Sequence, residues 1–277
     1  MADATNLMGR LLLFSSSRFS AIRRVPLLGD LVHRLSHRLV PSGKPLWVQI
    51  RAGAAEELWL ELHPRTARDY YEGRAEPEVQ QVLQQYLRPG MVFYDIGANI
   101  GFFAFIAARL VGKDGRVFAF EPEPELVTRI KRHIQRNGLT SVSVVEAGVW
   151  STTGMATLIR SDPALSPERG TGSLSVTAGS GDSFCVASIA LDDFLQGAPP
   201  PHLIKCDAEG AEVEVFRGAA RLLTRHKPAI VCEIHSRANL QSLRDLLPGY
   251  GYRITELSEN HILAVHCDPW EVFRTES

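Results

Sequence analysis

The stretch YDIGANIGFF, residues 94–103, decides the fold. An apolar run with strand character ends at Asp95, a turn punctuated by Gly97 and Gly101 follows, and a second apolar run then begins a helix. Glycine has no Cβ, so the backbone can turn tightly there and a ligand can come close to it. Asp95 sits at the strand end as an acceptor suited to an ammonium group or to a backbone network. Asn99 can brace the loop or donate to a carboxylate. Strand, glycine turn and helix together make a loop built to approach a ligand.

Working outward, apolar strands and amphipathic helices alternate. The strand MVFYDIG is followed by a helix over about 100–111, the strand RVFAFEP, the helix ELVTRIKRHIQRN and the strand SVSVVEAGVW. An irregular insertion interrupts the rhythm. It resumes with the strand HLIKCDAEG, the helix AEVEVFRGAARLLTR, the strand AIVCEIH, the helix NLQSLRDLLPG and two last strands near YRITEL and ILAVHC. This order predicts an α/β fold with a mainly parallel sheet and helices on both faces, and a ligand at the carboxyl ends of the strands where their order reverses. Upstream, PLWVQIRAG and EELWLELH read as a hairpin, and EPEVQQVLQQYL, residues 76–87, as a helix ending at Pro89-Gly90. The expected organisation is an extension over 1–45, a hairpin and helix lead-in over 46–90, and the ligand-binding domain over 91–277.

The 277 residues, 45% apolar, suffice for a substantial core. With 30 basic against 31 acidic residues the net charge is −1, so no overall field points to nucleic acid as a partner. Cys185, Cys206, Cys232 and Cys267 share no short spacing, which reads as reduced thiols in a cytoplasmic protein. The first 45 residues carry Arg10, Arg18, Arg23, Arg24, Arg34 and Arg38 against Asp30, with leucines and valines between. Their apolar pieces fall short of the roughly 20 residues that span a bilayer. The segment suits a helix packed on its own domain or on a second copy, or a peripheral contact with an anionic membrane.

In VFAFEPEP, Glu121 lies about 20 residues after the last loop glycine, where a carboxylate meets the two hydroxyls of a nucleoside ribose. A nicotinamide-dependent oxidoreductase would use the same acid. The loop lacks the G-x-G-x-x-G order that cradles a pyrophosphate, so a cofactor without phosphates fits better.

With the motifs YDIGANIGFF, FAFEPEP, ALDDFL, LIKCDAEGAEVEVFRGA and VCEIH in this order, the sequence resembles the FkbM-family S-adenosylmethionine-dependent methyltransferases over roughly residues 46–267. The lead-in YYEGRAEPEV is similar too. The resemblance implies a class I methyltransferase (Rossmann-like) fold of seven strands with the last antiparallel, and usually O-methylation of a sugar or natural-product hydroxyl. Cys206 and Ala208 depart from a segment that commonly reads I-K-I-D-V-E-G. By the resemblance, Asp95, Gly97, Ala98, Asn99 and Gly101 would line the methionine part of S-adenosylmethionine and Glu121 would hold its ribose. Glu146, at the end of the third strand, would read the adenine edge. N-methylation and a catalytically inactive binding module remain as alternatives.

The reacting end falls near IKCDAEG. Lys205 and Asp207 share strand parity, and so do Glu233 and His235 on the next strand. Methyl transfer needs alignment and a group that takes or weakens the acceptor's hydroxyl proton. His235 would be that base, with Asp207 orienting it or the substrate. Alternatively Asp207, Glu233 and His235 would hold a divalent metal, or Lys205 would neutralise the acids in a structural network. Residues 160–184, rich in Gly, Ser, Thr and Pro, read as an active-site loop offering hydroxyls and Arg169 to a polar acceptor, or as a surface excursion. Tyr70, Tyr71 and Glu76, ahead of the domain, are candidates for closing over the cofactor.

Overall fold

The computed structural model describes residues 45–63, 67–160, 172–175 and 183–267. The expectations for residues 1–44 and for Arg169 fall outside them. The chain divides into two compact units, Met1–Ala75 and Glu76–Ser277. In the first, β1 (Leu46–Gln49) and β2 (Trp59–Leu62) form the hairpin read from the alternating pattern, with Leu46 opposite Leu62. A short helix, α1 (Arg68–Tyr71), follows.

The second unit opens with α2 (Pro77–Tyr86), β3 (Val92–Ile96), α3 (Phe102–Val111), β4 (Arg116–Phe120), α4 (Pro124–Asn137) and β5 (Val142–Val145). After an intervening small sheet come α5 (Leu191–Phe194), β10 (Leu203–Cys206), α6 (Glu212–Arg217), α7 (Ala220–Arg225), β11 (Ala229–Glu233), α8 (Arg237–Leu246), β12 (Tyr252–Glu256) and β13 (His261–His266). The seven-stranded sheet has the order β12-β13-β11-β10-β3-β4-β5. Strand β13 is antiparallel to both its neighbours, and the other pairings are parallel. From β3 the chain winds outward to β5 and then returns to β10 on the other side. The crevice between β3 and β10 is therefore the switch point at which such sheets bind ligands.

Strand periodicity divides the packing. Tyr94 and Ile96 on β3 join Phe216, Leu222, Leu223 and Leu243 from α6, α7 and α8 in one apolar core. Tyr94 stacks edge-on against Phe118 and Phe194, with ring centres 5.4 and 5.5 Å away, and its hydroxyl donates to the Pro199 carbonyl at 2.8 Å. Buried Tyr needs such a partner for its polar tip. Helix α3 is apolar on nearly every side and almost wholly buried. Among the described residues no helix is long and apolar enough to cross a membrane.

Two sequence readings change. The run expected to form one strand, SVSVVEAGVW, splits into β5 and β6 (Gly148–Val149), which belong to different sheets. Strand β6 joins β7 (Gly154–Arg160), β8 (Gly172–Ser175) and β9 (Ser183–Ile189) in a second sheet of order β6-β9-β7-β8. The insertion thus carries sheet structure at its edges and at 172–175, while 161–171 and 176–182 lie outside the described residues. The helix read through AEVEVFRGAARLLTR is two helices, broken at Gly218. A Cβ there would come 2.3 Å from the Trp150 carbonyl oxygen, so only glycine lets the chains approach. The break exposes the N-terminus of α7, and Asp192 covers it. Its carboxylate accepts from the Arg221 and Leu222 N–H groups at 2.8 Å each. Asp192→Ala is expected to lower unfolding stability by about 1–2 kcal/mol, as lost helix caps do, measured by urea denaturation; a loss below a few tenths would mean that water replaces the cap at no cost.

Candidate active site

The loop after β3 lies against the end of β10. Gly97 has φ 72°, and a Cβ on it would stand 1.8 Å from the Asp207 carbonyl oxygen. The Gly97 and Ala98 N–H groups donate to the Phe120 carbonyl at 3.1 and 3.0 Å, which ties the loop to β4. Asn99, with φ 52°, brings its own N–H onto Glu121 Oε2 at 2.8 Å, and Glu121 Oε1 accepts from the Glu123 N–H at 2.9 Å. Burial pushes the Glu121 carboxyl up to about 8, and these two N–H groups pull against it.

A cleft of about 570 Å³ opens beside this loop. Ile96, Phe120, Leu126, Val149 and Leu158 give it apolar walls, and Leu158 comes from the small sheet. Its charged lining is Glu121, Glu123, Asp207 and Glu209, with no lysine, arginine or histidine among the described lining residues. Gly97 and Asn99 line it too. Glu146 does not. It is 59% exposed and pairs with Lys131.

Deeper in, Asp95 is wholly buried, and neither oxygen receives a well-formed hydrogen bond. Burial pushes its carboxyl up to about 6, while Lys205, 4.0 Å away, pulls it back. The register sets Asp95 opposite Lys205 on adjacent strands. The Lys205 ammonium is buried, 3.2 Å from Asp207 Oδ2 and 5.0 Å above the Phe103 ring. Burial opposes that charge, but Asp207 and Asp95 outweigh it and hold the ammonium pKa well above its ordinary value.

The structure brings Lys205, Asp207, Glu233 and His235 together, as strand parity implied, with acceptor atoms of the last three within 4.8 Å of one another. It adds two acids that the sequence reading passed over. Glu212, fully buried, accepts from His235 Nδ1 at 2.8 Å, from the Gly210 N–H at 2.8 Å and from the Asn239 amide. Glu209 Oε2 lies 3.3 Å from His235 Nε2, and Asp207 Oδ1 lies 3.6 Å from it. Chiefly through the Glu212 hydrogen bond, the imidazole is held up to about 9, so at neutral pH it is a cation that gives a proton. The base role expected of His235 needs it to shed that proton, which the surrounding carboxylates oppose. Both glutamates stand in the quoted run DAEGAE, where only the fold tells which acids turn inward. A further group, Glu76, Glu78 and His261, meets Glu233 from α2 and β13.

The profile described as the methyltransferase FkbM domain matches residues 95–254, more than half of the chain. The chain belongs to the FkbM methyltransferase family. It is a methyltransferase of the S-adenosylmethionine-dependent class, and its sheet order is that of the class I fold. Among curated relatives it is 30% identical, over 176 residues, to the hexuronic acid methyltransferase AglP of Haloferax volcanii, covering 63% of this chain and 68% of that one. It is 32% identical over 117 residues to a ribosomal protein L11 methyltransferase of Pelotomaculum thermopropionicum, covering 42% of this chain and 36% of the other. Its fold is also similar to that of a solved FkbM methyltransferase from Methylobacillus flagellatus, at a TM-score of 0.47 and 16% identity. That likeness covers 72% of this methyltransferase, which spans about half, 54%, of the solved chain.

The raised Glu121 carboxyl has a consequence for ligand binding. Ribose hydroxyls donating to it would favour its ionised form, so at pH 7 a nucleoside held in that way would release a proton and its affinity would rise with pH up to about 8. Titration of S-adenosylhomocysteine in buffers of different ionisation enthalpy is expected to show release of a large part of one proton, absent in Glu121→Gln; proton uptake would remove Glu121 from the ribose site. Gly97→Ala is expected to abolish saturable binding, because the Asp207 backbone would have to move.

Proposed function

We propose that this methyltransferase moves the methyl group of S-adenosylmethionine onto a hydroxyl of a sugar or sugar-like small molecule. The observation that carries the reading is the make-up of the cleft: four acidic side chains and no basic one among the described lining residues, at the switch point of the sheet. Such a lining suits a cationic nucleoside and repels a pyrophosphate, which favours S-adenosylmethionine over a nicotinamide dinucleotide. When bound, the cofactor supplies an electrophilic methyl group. Glu121 would accept the ribose hydroxyls. Asp95, buried without a well-formed donor, and the loop of Gly97, Ala98, Asn99 and Gly101 would hold the methionine part.

Asp207 belongs both to the cleft and to the cluster of Lys205, Glu233 and His235. Its Oδ2 is held by Lys205, and its Oδ1 is buried without a hydrogen bond. That open oxygen is the group that would take the hydrogen bond of an incoming hydroxyl and weaken its O–H bond. His235 Nε2, 3.6 Å from Oδ1, and the Lys205 ammonium, 3.2 Å from Oδ2, would hold the Asp207 carboxylate in place. A reacting end so rich in carboxylates disfavours an anionic acceptor atom, which is why a hydroxyl is chosen here over a carboxylate. The sugar class rests on the relative named a hexuronic acid methyltransferase.

The test is calorimetric titration with S-adenosylhomocysteine and with NAD, followed by mass-spectrometric assay of methyl transfer to neutral hexosides and to hexuronides. Saturable binding of S-adenosylhomocysteine alone, and a mass gain on a hydroxyl, are expected. Asp207→Asn is expected to cut turnover by about 10²–10⁴-fold, the range of general acid–base contributions. Saturable NAD binding, or turnover unaffected by Asp207→Asn, would sink the proposal.

A further inference from the structure

We propose that Glu76, Glu233 and His261 form a divalent-cation site at the acceptor end of the sheet. Strand register creates the pair at its centre, since Glu233 on β11 lies directly opposite His261 on β13 and both side chains stand on one face. Glu76 enters from the residue before α2. Its Oε2 lies 3.3 Å from His261 Nε2. On the other side of the ring, His261 Nδ1 lies 3.1 Å from Glu78 Oε1 and 3.1 Å from Ser258 Oγ. A metal-binding imidazole has this arrangement: one nitrogen fixed by a carboxylate, the other turned towards the ion.

Glu233 supplies the argument that the cluster is incomplete. Its carboxylate makes no hydrogen bond or close ion pair with any described residue, yet an oxygen of it lies within 4.8 Å of ligand atoms on both Glu76 and His261. An ion at about 2.1–2.3 Å from each ligand separates opposed ligands by about 4.2–4.6 Å. The 4.8 Å limit on these separations is compatible with such an ion. Charge points the same way. Three carboxylates, Glu76, Glu78 and Glu233, surround one imidazole, and the Lys205 ammonium, 3.2 Å from Asp207, reaches Glu76 and Glu233 only at longer range. Asp95, wholly buried with no well-formed donor on either oxygen, also feels the negative field of Glu76 and Asp207.

The neighbouring set of Asp207, Glu233 and His235 is the weaker candidate. Lys205 already neutralises Asp207 and would repel an ion there, and His235 Nε2 already faces Glu209 at 3.3 Å. Mixed carboxylate and imidazole ligands suit manganese or zinc. Only the ion's task, gripping the hydroxyls of the acceptor, rests on the methyltransferase reading above.

The probe is Mn²⁺, followed by electron paramagnetic resonance and by calorimetry on the full chain. One tight ion per chain is expected. Glu76→Gln and His261→Gln should each weaken it at least about 100-fold, and the milder Glu78→Gln about 10–100-fold, the range for residues that orient a ligand. An unchanged circular dichroism spectrum and melting temperature report that each variant is folded. Absence of saturable Mn²⁺ binding by the wild type overturns the site. So does binding that survives Glu76→Gln and Glu78→Gln but is lost in His235→Gln, which would put the ion on the other set. Ion binding without S-adenosylhomocysteine binding would leave the site standing and remove the cofactor reading.

Discussion

At Gly97 the backbone leaving β3 passes so near the end of β10 that a side chain would strike the Asp207 carbonyl. This contact joins the two halves of the sheet where their order reverses. On one side the loop folds over towards Glu121 and makes the floor of the cleft. On the other, Asp207 turns its carboxylate towards Lys205, Glu233 and His235. Were the two chains a residue's width further apart, the cleft and the acidic cluster would be separate features. Their shared member is Asp207, which lines the cleft and belongs to the acidic cluster as well.

The acids gathered there resist their own ionisation. Burial raises Asp95 to about 6, Glu121 to about 8 and Glu233 to about 7, with Asp207 adding repulsion in each case. For a carboxyl the sign of such a shift is fixed: the folded state binds the proton more tightly than the unfolded chain, so the contribution to stability is full at low pH and is lost as pH rises through the folded value. Around neutrality the protein therefore holds carboxyls against a thermodynamic slope. Such sites mark function more often than structure, because a merely structural network would be trimmed to balance. Lys205 limits the cost by serving both Asp95 and Asp207.

Much of this was legible in the sequence. The α/β alternation fixed the sheet class, and the glycine loop with Glu121 located the cleft, because period-2 and period-3.6 patterns and a turn glycine are local signals. Strand parity placed Lys205, Asp207, Glu233 and His235 on one end. What stayed hidden depends on register and burial. His261 meets Glu233 only because β13 inserts antiparallel beside β11, a pairing that no local pattern announces. Glu146, at a strand end like Glu121, instead points to solvent and pairs with Lys131 on α4. Strands β7 and β9 were missed because their alternation is shallow, with only Ala156, Leu158, Val186 and Ser188 buried along them. The protonation of His235 was beyond reach without knowing that Glu212, five residues past Asp207, turns inward to hold Nδ1.

The imbalance of charge also orders the roles within the cluster. Carboxylates beside an imidazole favour its charged form, and both His235 and His261 are held above the ordinary imidazole value by the acids that face them. His235, tied to Glu212, faces Asp207 at 3.6 Å where the cleft begins. His261, tied to Glu78, stands among carboxylates that outnumber the cations beside them. Two arrangements of the same type, an imidazole held at Nδ1 and facing acids at Nε2, thus flank Glu233. They differ in what already balances them. Lys205 stands 3.2 Å from Asp207 beside the first and reaches the carboxylates of the second only at longer range.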